Sequence, residues 1–121
     1  DDDPLIFRFV QQLLPSPTYT IEHAAGGTQA VAMLHSRTFD VLLLDLRMPD
    51  GSGYEVLRRI KVDARLQSLP IIVITNFPQP ETEEERDLLG VQVIVDLLPK
   101  TAVAERPELL LNRLEQLRSA R

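Results

Sequence analysis

The chain has 121 residues, 44% hydrophobic and 26% charged, which suits a single domain with an apolar core and excludes the disordered and fibrous classes. It carries no cysteine, so disulfides and thiolate metal sites are excluded and a reducing, cytoplasmic setting is expected. A net charge of -5 without clustered Lys and Arg argues against a nucleic-acid surface, and no apolar run approaches the roughly 20 residues that span a bilayer.

Asp1-Asp2-Asp3-Pro4 opens onto a predicted helix in which Leu5, Ile6, Phe9, Val10, Leu13 and Leu14 recur at helical spacing until Pro15 and Pro17. Thr18 to Ile21 alternates and carries β-branched residues, which predicts a short strand. A turn at Gly26-Gly27 and a helix from about Thr28 follow, with Ala30, Val31 and Leu34 inward. Val41 to Leu44 is wholly apolar, the pattern of a strand buried on both faces, and it stops at Asp45. The chain then turns through Met48-Pro49-Asp50-Gly51, and Ser52 with Glu55 forms a capping box for a helix carrying Tyr54, Leu57 and Ile60.

Leu69-Pro70 leads into a second apolar strand, Ile71 to Ile74, that ends in Thr75. Asn76 to Pro80 reads as a loop, and Glu81 to Leu89 as a short acidic helix with little apolar face, the least secure element expected. Val91 to Val95 is a third β-branched strand ending at Asp96, followed by Leu98-Pro99-Lys100. Leu110, Leu114 and Leu117 mark a closing amphipathic helix. Helices alternating with buried strands imply a parallel sheet wound on both faces. The alternation starts on a helix, so a first strand of roughly five residues is expected to be absent before Asp1.

In such a sheet Asp1, Asp2 and Asp45 end neighbouring central strands, and Thr75 and Lys100 end the next ones along the same edge. Carboxylates gathered there repel by about 4 kcal/mol per pair at 4 Å and an effective dielectric of 20. A hard divalent cation relieves that repulsion, and Mg²⁺ with oxygen ligands and a phosphate suits the donor set. Asp45 is then the nucleophile that becomes an aspartyl phosphate, Lys100 a point charge on phosphate oxygens and Thr75 a hydroxyl donor to them.

Asp-Asp-Asp-Pro, Leu-Asp-Leu-Arg-Met-Pro-Asp-Gly-Ser-Gly, Ile-Val-Ile-Thr-Asn and Leu-Pro-Lys, in that order and spacing, resemble the receiver domain of two-component response regulators across essentially the whole chain. The resemblance implies a flavodoxin-like, five-stranded parallel sheet of order 2-1-3-4-5 and a phosphoacceptor at Asp45. It implies metal binding by Asp1, Asp2, Asp45 and the backbone carbonyl of Arg47, a switch hydroxyl at Thr75 and a phosphate-binding Lys100. The implied donor is a phosphohistidine on a sensor kinase or phosphotransfer domain, and the output a change of affinity for a downstream protein or attached effector. Dimerisation through the face built from the 81–89 helix, the 91–95 strand and the closing helix is left open.

The chain departs from that pattern at Leu97, where an aromatic partner of the switch hydroxyl is usual, and at Thr101, where a proline commonly follows the lysine. Asn76 stands where a small residue is common, and the interval from Gly90 to Lys100 is long. These departures favour one alternative, a receiver-like interaction domain that works without phosphorylation. A phosphatase of similar fold would need a second aspartate two residues beyond the nucleophile, where Arg47 stands. His23 and His35 read as surface or strand-edge residues, and nothing pairs them with a hydrolase constellation.

Overall fold

A computed structural model of the chain describes residues 1, 4–14, 18–47, 53–76, 80–90 and 94–119. In chain order these form α1 (Pro4–Leu13), α2 (Gly27–Ser36), β1 (Leu42–Leu44), α3 (Gly53–Lys61), a 3-10 turn (Ala64–Leu66) and β2 (Ile71–Thr75). There follow α4 (Glu83–Leu89), β3 (Ile94–Pro99), α5 (Lys100–Glu105) and α6 (Glu108–Ser119). The described strands pair in parallel in the order β1-β2-β3, which is the 3-4-5 part of the expected 2-1-3-4-5 sheet.

β2 organises the molecule. All five of its residues are buried, four of them Ile or Val in an unbroken run that ends in Thr75. Because side chains alternate across a strand, Ile71 and Val73 join one core with Leu34 of α2, Leu57 and Ile60 of α3 and Leu88 of α4. Ile72 and Ile74 join the opposite core with Val10 of α1, Val103 of α5 and Leu110 and Leu114 of α6. Fully burying each such side chain contributes about 1.5–3 kcal/mol, so both faces of the sheet are anchored on one strand.

Three expectations are corrected. Thr18 to Ile21 is not a strand, because a strand needs a hydrogen-bonded neighbour and none of the described strands pairs with it. Its side faces β1 across an apolar slot of about 190 Å³, lined by Val10, Ile21, Leu43 and others. β3 does not end at Asp96 but runs to Pro99. An irregularity in register, with Ile71 opposite Ile94 and Ile72 opposite Asp96, lets the strand take Asp96 within its length. The Asp96 carboxylate is satisfied there by its neighbour's Leu97 N–H at 2.9 Å and by Arg113 of α6 at 3.2 Å.

The third correction concerns β1, expected to be buried on both faces: it is the edge of the described sheet, and Leu42 and Leu43 are only half-buried while Leu44 is buried. Lys100 opens α5. Pro99 is extended at the N-cap, where it cannot continue the helix backwards, and α5 buries Val103 completely against the second core. The Ser52 capping box falls outside the described residues; within α3, Glu55 pairs with Arg58 and with Arg59 one turn on. α4 is capped as expected of a Thr followed by Glu three positions later: Thr82 Oγ1 accepts from the Glu85 N–H at 3.0 Å.

Candidate functional site

β1 delivers Asp45 to the carboxyl edge of the sheet, where it is 4% exposed, and Leu46 beyond it is fully buried. The start of α3 is pressed onto this turn: Gly53 N–H donates to the Leu46 carbonyl at 3.0 Å. A Cβ at Gly53 would stand 2.1 Å from the Asp45 carbonyl oxygen and 2.8 Å from the Leu46 Cα, so a residue without a side chain is required there. Sequence reasoning had Gly53 only as a letter in a motif; the contact that demands it lies outside the local pattern.

Lys100 enters from the end of β3. Its ammonium lies 3.0 Å from Asp45 Oδ2 and 3.1 Å from Asp1 Oδ2, with Asp1 Oδ1 at 3.3 Å. The Lys100 and Asp1 side chains are each 12% exposed, so the three charges are largely withdrawn from water and one ammonium serves two carboxylates. Pairing of this kind is needed for buried acids, since isolated burial would cost several kcal/mol per ion. Thr75, fully buried at the end of β2, completes the edge.

Asp1 is fixed by its backbone. Its backbone nitrogen donates to the Ala24 carbonyl at 3.1 Å, and its carbonyl lies 2.7 Å from His23 Nε2. The His23 ring stacks on Phe7 with centroids 4.6 Å apart, so this histidine is a half-buried anchor for Asp1 rather than a free surface residue. Burial holds its pKa below the usual imidazole value.

Arg47 divides its two ends. Its N–H faces Asp45 Oδ1 at 3.4 Å, whereas its guanidinium turns to Glu85 at 3.3 Å and Glu81 at 3.5 Å, 5.2 Å from the Tyr54 ring centroid. The sequence reading considered only the Arg47 carbonyl. Asp2 and the Met48 to Ser52 turn lie outside the described residues. Among the described residues no three acidic or histidine side chains converge as a ready metal cage. The donors that do converge, Asp1 and Asp45, offer carboxylate oxygens alone, which fits a hard cation that keeps waters rather than a soft one.

The family model for the response regulator receiver domain matches residues 1–110. The chain belongs to that family. It is 38% identical over 76 residues to the chemotaxis protein CheY of Pseudomonas aeruginosa, covering 62% of this chain and 61% of that protein. It is 37% identical over 84 residues to a probable cyclic di-GMP phosphodiesterase of Vibrio cholerae, covering 69% of this chain and 19% of that protein. The match thus spans less than two thirds of either relative's length. Among solved structures, chemotaxis protein CheY4 of Vibrio cholerae superposes with a TM-score of 0.77 at 29% identity, covering 97% of this chain and 92% of that one. The phosphorylated cyanobacterial regulator RcpA shares the fold, with a TM-score of 0.74 at 22% identity over 96% of this chain and 87% of that one.

A receiver domain is a phosphoacceptor switch of two-component signalling, not a classical enzyme, and its family works with histidine kinases and effector domains and binds Mg²⁺ at an acidic pocket. Where this receiver departs from the family pattern, the side chains have ordinary places. Leu97 packs against the first core, Thr101 is exposed on α5, and Asn76 is exposed just beyond β2. No helix among the described residues is long and apolar enough to cross a membrane.

Proposed function

We propose that Asp45 is the phosphoacceptor of this receiver, and that residues 1–121 work as one cytoplasmic receiver unit. The observation that carries this reading is the buried salt bridge of 3.0 Å between Asp45 Oδ2 and the Lys100 ammonium at the carboxyl edge of the sheet. An Asp45 carboxylate oxygen attacks the phosphorus of a phosphohistidine; the new P–O bond forms as the P–N bond breaks, and the imidazole leaves and takes up a proton. Lys100, a compact charge already beside Asp45, balances the oxygens of the arriving phosphoryl group, and Thr75 offers its hydroxyl to one of them. Asp1, Asp2, Asp45 and the Arg47 carbonyl are the residues that would hold Mg²⁺, which supplies charge neutralisation to the phosphoryl oxygens when bound.

The donor is a sensor kinase or phosphotransfer domain and the recipient of the signal a downstream protein or attached effector. Dimerisation through α4, β3 and α6 is compatible with this reading. Incubation with acetyl phosphate and Mg²⁺, followed by intact mass, tests it: the wild type gains one phosphoryl group and Asp45→Asn gains none. A folded wild type that gains none would favour the phosphorylation-independent interaction domain instead.

A further inference from the structure

We propose that Arg47 is a positioning residue that ties the Asp45 turn to the first turn of α4, so that the state of Asp45 is carried to that helix through the Arg47 side chain. One residue touches both ends. Its N–H lies 3.4 Å from Asp45 Oδ1, and its guanidinium lies 3.3 Å from Glu85 Oε1 and 3.5 Å from Glu81 Oε1. Arg47 and Glu85 are 38 positions apart, so only the fold brings them together. The guanidinium is steadied against the face of Tyr54 on α3, at 5.2 Å from the ring centroid.

The partner carboxylate matters. Glu85 Oε1 also accepts from the Glu81 N–H at 2.8 Å, while Thr82 Oγ1 accepts from the Glu85 N–H, a reciprocal cap that closes the start of α4. Arg47 therefore grips a group that caps the start of the helix, and any shift of Arg47 reaches the backbone there. The Arg47 and Glu85 side chains are 29% and 19% exposed, less open to screening than the Arg58–Glu84 pair at 45% and 64%. Apart from these pairs α4 is held chiefly by Leu88, buried in the first core, with Leu89 partly buried beside it.

Tyr54 is a second, independent observation. It is 2% exposed, yet its hydroxyl has no hydrogen-bond partner among the described residues. Burial, followed by the charges of Glu85, Arg47 and Glu81, acts on this phenol. An unpaired buried hydroxyl weighs against the arrangement in which it occurs and brings a second arrangement, in which it is paired, closer in free energy. A latch between two such arrangements is the kind of bistable element that a local charge can bias. A phosphoryl anion on Asp45 draws the guanidinium towards itself and loosens its grip on Glu85, and the first turn of α4 follows.

This inference rests on Asp45 as acceptor, and the test separates the two. Amide hydrogen exchange over residues 83–89 of the full chain is measured with and without acetyl phosphate and Mg²⁺ in wild type, Arg47→Gln and Arg47→Lys, with uptake followed by intact mass. In wild type, phosphorylation speeds exchange over 83–89 by about fivefold, the lower end of coupling between sites. In Arg47→Gln, read on the phosphorylated fraction alone, β2 stays protected but the change over 83–89 disappears; Arg47→Lys, which keeps the charge and loses the fork, retains part of it. An Arg47→Gln protein that is phosphorylated and shows the wild-type change overturns the proposal. Should wild type take up no phosphoryl group, the Asp45 reading fails, and Asp45→Asn decides the latch: it must alter exchange over 83–89 when Arg47 is present and not in Arg47→Gln. Equal changes in both backgrounds overturn it.

Discussion

The carboxyl edge of the sheet and helix α4 are held by different forces. At the edge, Thr75 ends a strand buried on both faces, Asp45 follows the buried Leu44, and Lys100 is fixed by two carboxylates that water barely reaches. α4 buries Leu88, partly buries Leu89 and otherwise depends on two ion pairs, Arg47–Glu85 and Arg58–Glu84, with Arg47–Glu81 just ahead of it. Apolar burial of several side chains contributes kcal/mol each, whereas exposed ion pairs contribute about 0–1 kcal/mol. The difference teaches a division of labour: a rigid edge keeps Asp45, Thr75 and Lys100 in place, and a more weakly held helix lies beside it.

The largest effect that would test this division is at Gly53. Gly53→Ala drives a Cβ into the Asp45 carbonyl, 2.1 Å away, and is expected to lower global stability by about 1–3 kcal/mol, read as a reduced urea midpoint. An unchanged midpoint would mean that the edge is not rigid. Thr82→Ala removes the cap of α4 and should cost about 1 kcal/mol, confined to faster amide exchange over 83–89. If the sheet amides sped up equally, α4 would be as integral as β2 and the comparison would fail.

Smaller effects should come from acid and salt. The Glu81 N–H first, and Arg47 further along, hold the Glu85 carboxyl below its ordinary value of 4.5. A carboxyl lowered in the folded state stabilises fully above that ordinary value and loses its contribution as pH falls through the lowered one. Protection over 83–89, taken relative to unstructured peptide at the same pH, should therefore fall below pH 4.5, and also in about 1 M salt, before β2 responds. Simultaneous loss of protection in both regions would contradict the assignment of α4 to ionic attachment.

The strands ending at Asp45 and in Thr75 were legible as strands from their unbroken apolar runs, but only the second is buried throughout; Leu42 and Leu43 of the first are half-buried. The site was legible for the same reason, since strand ends along one edge bring Lys100 to Asp1 across 99 positions. Thr18 to Ile21 was misread because strand propensity is local whereas pairing requires a neighbour. Asp96 hid the extension of β3, because a charge inside a strand signals its end unless a partner such as Arg113 is known. The Arg47 side chain and the need for Gly53 left no local trace; both arise from segments packed against the Asp45 turn in three dimensions.

The central claim is that Asp45 receives the phosphoryl group. Its most direct test is peptide mapping of the chain after acetyl phosphate and Mg²⁺, with the acyl phosphate trapped by borohydride reduction. The account predicts modification at Asp45 in wild type and an unmodified chain in Asp45→Asn. Modification at another residue, or equal uptake by Asp45→Asn, would contradict it.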